Sequence, residues 1–403
     1  MSLRNLLESA KQNNASDFER IFEEVLDEKV QFVLENKYSD MYGLPTLEEQ
    51  VESLMEKLIV FNGGAKYGQI VFMSGGAGSG KGFAGSTFME SEKFKVRDVD
   101  EWKKAFLKIS ELKNKYPEIR GLNLKNSKDV FKLHQFVKNL SVNNKSFKEG
   151  TLDLLLKDIR ADRLPNIMFD ITAKDLDDIT EVLPVLQEAG YDAKNIHLAW
   201  VLTDFKVSYA ANLTRERVVP ADIFLDTHRG ASKTMQGILN RGSLPRGMDG
   251  RFVVVLNNRE NTVFFKAGEK YKGKTVPETA RGVKDFYYIE VKRAGKSFKP
   301  DADWKKELHA QIVQNVPGGQ DTLDSLRADA LERLAPKAAK GDKDAEEGID
   351  IVKGDIEKDR KLKKALETIN KRTGKSYKFE DFSKKGVIPK DIKTAVMRLA
   401  QQY

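Results

Sequence analysis

The run Gly75-Gly76-Ala77-Gly78-Ser79-Gly80-Lys81 follows directly on the apolar stretch Gln69–Ser74 (QIVFMS) and leads into Lys81–Met89, which reads as helix. An apolar run this short, stopped by glycines, reads as a buried strand. A strand–glycine loop–helix unit lets backbone N–H groups converge on phosphate oxygens, because small residues permit close approach and unusual dihedrals. The helix N-terminus adds its positive dipole end. Lys81 supplies a mobile charge for the β- and γ-phosphates of a nucleotide. A ligand-free glycine turn would explain neither the four glycines nor a lysine at that point. Gly75, Gly76, Ala77, Gly78, Ser79, Gly80, Lys81 and Gly82 are therefore the expected phosphate cradle, with ATP and Mg²⁺ as its cofactors.

One position departs from the common pattern. The Ser or Thr that ordinarily follows the lysine and ligates Mg²⁺ is Gly82. The Gly-Lys-Gly ending is similar to the adenylate-kinase form of the loop and implies a kinase, with Mg²⁺ held largely through phosphate and water and aided by a carboxylate. Ser79 and Thr87 are the alternative sources of the missing hydroxyl.

Strands and helices alternate on either side of this loop. Lys93–Val99, Asn166–Ile171 and Ile196–Leu202 read as strands, and Asp177–Ala189 as a helix ended by Gly190. Phe252–Leu256 and Thr262–Phe265 read as a β-hairpin across Asn257–Asn261. The expected fold is α/β, a P-loop NTPase three-layer arrangement with a mainly parallel sheet and helical N- and C-terminal appendages. The expected divisions are a helical segment over 1–62, a P-loop kinase domain over 63–292 with a helical insertion at about 102–163, and a charged helical region over 293–403. That last region carries a soft linker around Pro336–Gly348 and a closing helix within Val387–Tyr403.

Composition narrows the chemistry. The net charge of +8 arises from 69 basic and 61 acidic residues that are interleaved, not striped. A small-molecule acceptor is thus favoured over nucleic acid, which remains the alternative. There is no cysteine, which excludes disulfides and thiolate metal sites and fits a reducing cytoplasm. The four histidines are scattered, without the spacing of a zinc site. No apolar run reaches membrane-spanning length, and no short apolar leader is present at the N-terminus.

A phosphotransferase needs a base for the attacking hydroxyl and cations for the phosphoryl group in flight. Carboxylates at strand ends are the candidates, because ligands of open α/β sheets sit there. Asp98 and Asp100 end one strand and Asp170 ends another, while Asp222 and Asp226 are less clearly placed. Arg215 and Arg217, in Asn212–Pro220, suit a lid over phosphates.

Taken together, these motifs resemble the zeta-toxin family of P-loop kinases. The likeness covers about residues 66–270. Asp98-Val99-Asp100-Glu101-Trp102 stands for the family's Asp-x-Asp-x-aromatic run, and Asp170-Ile171-Thr172-Ala173-Lys174 for its acidic-Gly-Thr-Gly-Arg run. Arg217-Val218-Val219-Pro220 matches Arg-x-x-Pro, and Asn257–Asn261 matches the late Tyr-Asn-Arg-Glu-Gly. The resemblance implies Asp100 as general base, Arg215 and Arg217 as phosphate-stabilising arginines, and Asp170, Thr172 and Lys174 as acceptor contacts. It also implies a sugar hydroxyl of a nucleotide sugar of the UDP-N-acetylglucosamine type as acceptor. The architecture is similar, too, to bacteriophage kinases acting on nucleic acid. Two other readings stand beside this one: a kinase for a 5′-hydroxyl or modified-base hydroxyl of nucleic acid, and a non-catalytic nucleotide-binding module whose N- or C-terminal helices bind a protein partner.

Overall fold

The structure is a computed structural model that describes residues 59, 61, 67–89, 94–98, 107–108, 110–142, 145–156, 164–258, 261–266, 268–271, 274–275, 283–300, 302–318, 323–382 and 386–403. The expected helices of residues 1–62 lie outside them, apart from Ile59 and Phe61. The chain divides into two compact units, Met1–Ser208 with Arg217–Gly319, and Tyr209–Glu216 with Gln320–Tyr403.

In chain order, β1 (Ile70–Ser74) leads through the glycine loop into α1 (Lys81–Phe88), followed by β2 (Lys95–Asp98). The insertion supplies α2 (Ser110–Lys115), α3 (Ser127–Asn139), a ribbon of β3 (Ser141–Val142) and β4 (Lys145–Ser146), and α4 (Phe147–Leu156). Then come β5 (Ile167–Ile171), α5 (Asp177–Thr180), α6 (Leu183–Glu188), β6 (Ile196–Leu202), α7 (Phe205–Leu213) and α8 (Ala221–Arg241). β7 (Phe252–Leu256), β8 (Thr262–Phe264), a ribbon of β9 (Lys270–Tyr271) and β10 (Lys274–Thr275), β11 (Val283–Lys292) and α9 (Ala302–Asn315) follow.

Seven of these strands form one sheet in the order β2-β5-β1-β6-β7-β11-β8. The five strands from β2 to β7 run parallel, and β11 and β8 continue antiparallel. Parallel neighbours need crossover helices, which cover both faces and bury the strands on both sides. β1 shows this residue by residue. Ile70 and Phe72 join a core with Phe169, Trp200, Met235, Ile238, Trp304 and Leu308, while Val71 and Met73 join another with Ala84, Phe88, Met168, Val253 and Phe286. The result is the three-layer P-loop α/β fold, and Trp304, Leu308 and Ile312 of α9 extend its core past residue 292.

Three local expectations are corrected. β7 and β8 do not form a hairpin: β7 pairs with β6 and with Tyr287–Lys292 of β11, and β8 pairs with the preceding stretch of β11, Val283–Phe286. Asp177–Ala189 is split into α5 and α6, with Pro184 at the start of the second. The linker around Pro336–Gly348 is mostly helix. In the second unit, α10 (Leu323–Ala338) contains Pro336 and α11 (Lys343–Thr373) contains Gly348. Pro336 falls in the last turn, where it removes only one intrahelical hydrogen bond. Gly348 is buried where a Cβ would stand 3.1 Å from Leu334 and 3.2 Å from Leu213, so its role is close approach. The closing helix is α12 (Lys390–Ala400), whose Val396 and Ala400 share a small core with Ala365, Leu366 and Ile369 of α11. Among the described residues no helix is long and apolar enough to cross a membrane.

At the opposite end of the sheet from the glycine loop, His197 of β6 is buried. Its Nδ1 accepts from the Arg251 N–H at 2.8 Å, so Nε2–H donates to Gln69 at 2.7 Å. Burial, aided by the Arg251 and Lys292 charges, pushes its pKa down from 6.5 to about 3. The unfolded chain takes up that proton first, so the stability is complete above pH 6.5 and is lost as pH falls towards the folded value. Each unit of difference is worth about 1.4 kcal/mol. Thermal unfolding followed from pH 8 to pH 4 is expected to show a marked fall in midpoint, and a shallower fall in His197→Asn.

Candidate active site

The phosphate loop begins where β1 ends. Ser74 is buried, and its hydroxyl donates to the Ala199 carbonyl of β6 at 3.1 Å. The chain then turns through Gly78 (φ 72) and Gly80 (φ 78), left-handed positions that favour glycine. Gly80 is the N-cap of α1 and accepts from the Ala84 N–H at 2.8 Å.

Most of the loop's carbonyl oxygens are taken up by donors from the protein. The Lys81 ammonium donates to Gly75 O at 3.1 Å and Gly76 O at 3.5 Å. Ser79 O accepts both the Thr203 hydroxyl at 2.7 Å and the Asn257 amide at 2.8 Å. Thr203 directly follows β6, and Asn257 directly follows β7. Ala77 is held on both sides by α8: its N–H donates to Thr227 Oγ1 at 3.2 Å, and its carbonyl accepts from His228 Nε2 at 2.8 Å. That contact requires a proton on Nε2. Burial enforces neutrality, pushing the His228 pKa down to about 4 against the Ala77 hydrogen bond, which raises it, while the Lys81 charge lowers it further. Two glycines make room for these partners. A Cβ on Gly76 would lie 2.4 Å from the His228 ring, and one on Gly80 2.3 Å from the Asn257 amide nitrogen.

Lys81 also faces Asp170 at 3.5 Å. Asp170 lies in β5, in register with Met73 of β1 and with Asp98 of β2. The structure thus brings Lys81 and Asp170 together on adjacent strands and sets Asp98 on the next. Beyond β5, Thr172 is half-buried, and Ala173 is buried with φ 50, a left-handed conformation in a residue other than glycine. Lys174 is exposed and engaged with α8. Its ammonium pairs with Asp226, its carbonyl accepts from Thr234 at 3.0 Å, and a Cβ on Gly230 would stand 2.4 Å from its Cγ.

The two arginines differ. Arg217 is half-buried on the turn before α8, where the Val218 N–H donates to Leu124 O of the insertion at 3.0 Å. Arg215 is exposed and falls in the second unit. Asp100, Trp102, Arg259 and Glu260 lie outside the described residues. Thr203, Thr227 and His228 were not singled out in the sequence. Thr203 carries one signal, a polar residue immediately after a buried strand. His228 carries none beyond its place in the helix after Arg-x-x-Pro.

A central strand, a glycine loop with its carbonyls drawn back, and a lysine backed by a carboxylate on the neighbouring strand define a P-loop protein of the kinase type. The family described as Zeta toxin matches residues 62–270, just over half of the chain. The chain belongs to the zeta toxin family. No curated protein matches it. Among solved structures, one from work on the PezAT chromosomal toxin–antitoxin system of Streptococcus pneumoniae aligns with 67% of this chain and 93% of its own, at 13% identity and a TM-score of 0.32. The AvrRxo1-ORF1:AvrRxo1-ORF2 complex with sulphate ions aligns with 80% of this chain and 85% of its own, at 13% identity and a TM-score of 0.35. The same complex with ATP gives 80%, 84%, 13% and 0.32.

The contact between Gly76 and α8 can be tested directly. Gly76→Ala is expected to cost about 1–3 kcal/mol through overpacking against His228, and to weaken nucleotide binding by displacing the loop. His228→Ala removes the obstruction, so the double variant should recover part of the stability lost by Gly76→Ala alone. A denaturant-melt double-mutant cycle measures that coupling.

Proposed function

We propose that this protein transfers the γ-phosphoryl group of ATP to a hydroxyl of a nucleotide sugar or a nucleotide-like small molecule. The observation that supports this most is the Lys81 ammonium, 3.1 Å from Gly75 O and 3.5 Å from Asp170 at the mouth of the loop. A mobile cation in that place exchanges loop carbonyls for phosphate oxygens when a nucleotide enters. Asp170, on the strand adjacent to β1, is the carboxylate that could help orient water around Mg²⁺ when a metal–nucleotide complex binds. The loop residues fit a metal–phosphate group in a second way: Ser79 Oγ is buried without a hydrogen-bond partner. Mg²⁺, when bound, would neutralise charge developing on the transferred group.

Asp100, two residues past the end of β2, is the proposed general base. Arg217 is the proposed clamp on the phosphoryl group, with Arg215 as its companion. Asp170, Thr172 and Lys174 are the proposed acceptor contacts, with the Lys174 charge shared with Asp226. The interleaved charge favours a small acceptor over nucleic acid, as in the insertion, where Lys132 pairs with Asp129 at 3.7 Å. The N-terminal segment or the helical C-terminal part is the proposed surface for a protein partner.

A labelled-ATP transfer assay against nucleotide sugars, nucleosides and DNA tests the assignment, with label expected on a nucleotide sugar or nucleotide. Lys81→Ala is expected to abolish transfer while leaving the thermal midpoint of the nucleotide-free protein nearly unchanged. Asp100→Asn is expected to bind ATP normally and lose about 10²–10⁴-fold in turnover; a loss below about tenfold would move the base to another carboxylate.

A further inference from the structure

Aromatic rings run in file from the interior of the sheet to the surface beside the phosphate loop. Phe286 of β11 stacks on Phe88 of α1, with ring centroids 4.1 Å apart and planes 9° apart. Phe88 meets Phe83 edge-on at 5.4 Å, and Phe83 meets Phe264 of β8 at 6.3 Å. The inner pair is buried, at 0% and 1% exposure, while Phe83 and Phe264 are 40% and 46% exposed. Two adjoining exposed phenylalanines leave apolar area in water that a chain ordinarily covers.

Their position indicates what covers them. Phe83 is two residues past Lys81, about 3 Å further along the axis of α1. Between them Gly82 opens on free space, with no atom within 4 Å of where a Cβ would stand. Phe264 belongs to the segment after β7, which the Asn257 amide ties to Ser79 O of the loop. The apolar surface thus adjoins the phosphate cradle. A nucleotide held by its terminal phosphates at Lys81 must place its ribose and base beyond the loop. A flat π surface is the chemistry that receives a base.

We infer that Phe83 and Phe264 form the stacking platform for the purine base of the bound nucleotide. This rests on the phosphate-loop reading above. Because phenylalanine reads no base edge, the platform holds adenine and guanine alike.

Calorimetric titrations with ATP, GTP and inorganic tripolyphosphate separate base from phosphate. Phe83→Ala and Phe264→Ala are each expected to weaken ATP and GTP about fivefold or more, with tripolyphosphate unchanged. Phe83→Leu, which keeps apolar bulk without a π face, should behave like Phe83→Ala. In Phe264→Trp, purine nucleotides should retain affinity and quench the added fluorescence, and tripolyphosphate should not. A double alanine variant that binds ATP within about twofold of the parent would overturn the platform. So would a parallel loss of ATP and tripolyphosphate, which would make the rings a support for the loop. A parent protein that binds neither probe would overturn the phosphate-loop reading and the platform with it.

Discussion

A phosphate loop attracts anions only when its carbonyl oxygens point away from them, since each carries partial negative charge and the loop is too short to bury them in itself. Here that constraint is met by donors gathered from four directions. Lys81 reaches back to Gly75 and Gly76, Thr203 and Asn257 converge on Ser79, and His228 holds Ala77. These donors come from residues next to β6 and β7 and from α8, so the sheet order is part of the loop's chemistry. With β6 and β7 on one side of β1, Thr203 and Asn257 reach the loop from that side. β5 on the other side brings Asp170 to Lys81.

α8 couples the two halves of the site. The consecutive residues Asp226, Thr227 and His228 meet Lys174 on one side and Ala77 on the other. Glycines admit those contacts, Gly76 under the His228 ring and Gly230 under the Lys174 side chain. One rigid helix therefore sets the phosphate loop and the proposed acceptor loop in a common frame. Phosphoryl transfer depends on such registration, because donor and acceptor atoms must line up within a few tenths of an ångström. The neutrality of His228 matters to it as well. A cation there would lie next to Lys81, and burial holds the ring uncharged instead.

The sequence made legible what local pattern encodes. The glycine loop and the buried strands on either side follow from spacing and apolarity, and they appear where expected; of the carboxylates, Asp98 ends β2 and Asp170 is the penultimate residue of β5, while Asp100 lies outside the described residues. What it hid depended on distant partners. β7 and β8 look like a hairpin because few residues separate them, yet both pair with the distant β11, β7 with Tyr287–Lys292 and β8 with Val283–Phe286, while β6 takes the other edge of β7. Gly348 and Pro336 look like linker residues when read singly. In the structure the glycine admits Leu213 and Leu334 at van der Waals range, and the proline costs one bond at a helix end. Thr227 and His228 were invisible for the same reason. Nothing near them in sequence shows that their partner is Ala77, about 150 residues earlier.

The proposed acceptor loop holds a non-glycine residue in a left-handed turn. The family-like run after β5 carries Ala173 where the motif has glycine. Ala173 nonetheless stands at φ 50, in the left-handed region, and is buried. An L-residue there costs about 1–2 kcal/mol relative to its ordinary conformation. A sequence free to relax would shed that cost, so the surroundings must impose the turn. Thr234 and Asp226 do so from α8, gripping Lys174 by its carbonyl and its ammonium. The next residue, Lys174, is a proposed acceptor contact. A lysine presents a point charge where arginine would present a planar fork able to hold two oxygens at once. Part of that charge is already answered by Asp226, so under the proposed role Lys174 would suit a single acceptor oxygen better than a paired set. In this chain, then, α8 fixes both the turn at Ala173 and the place of the Lys174 ammonium.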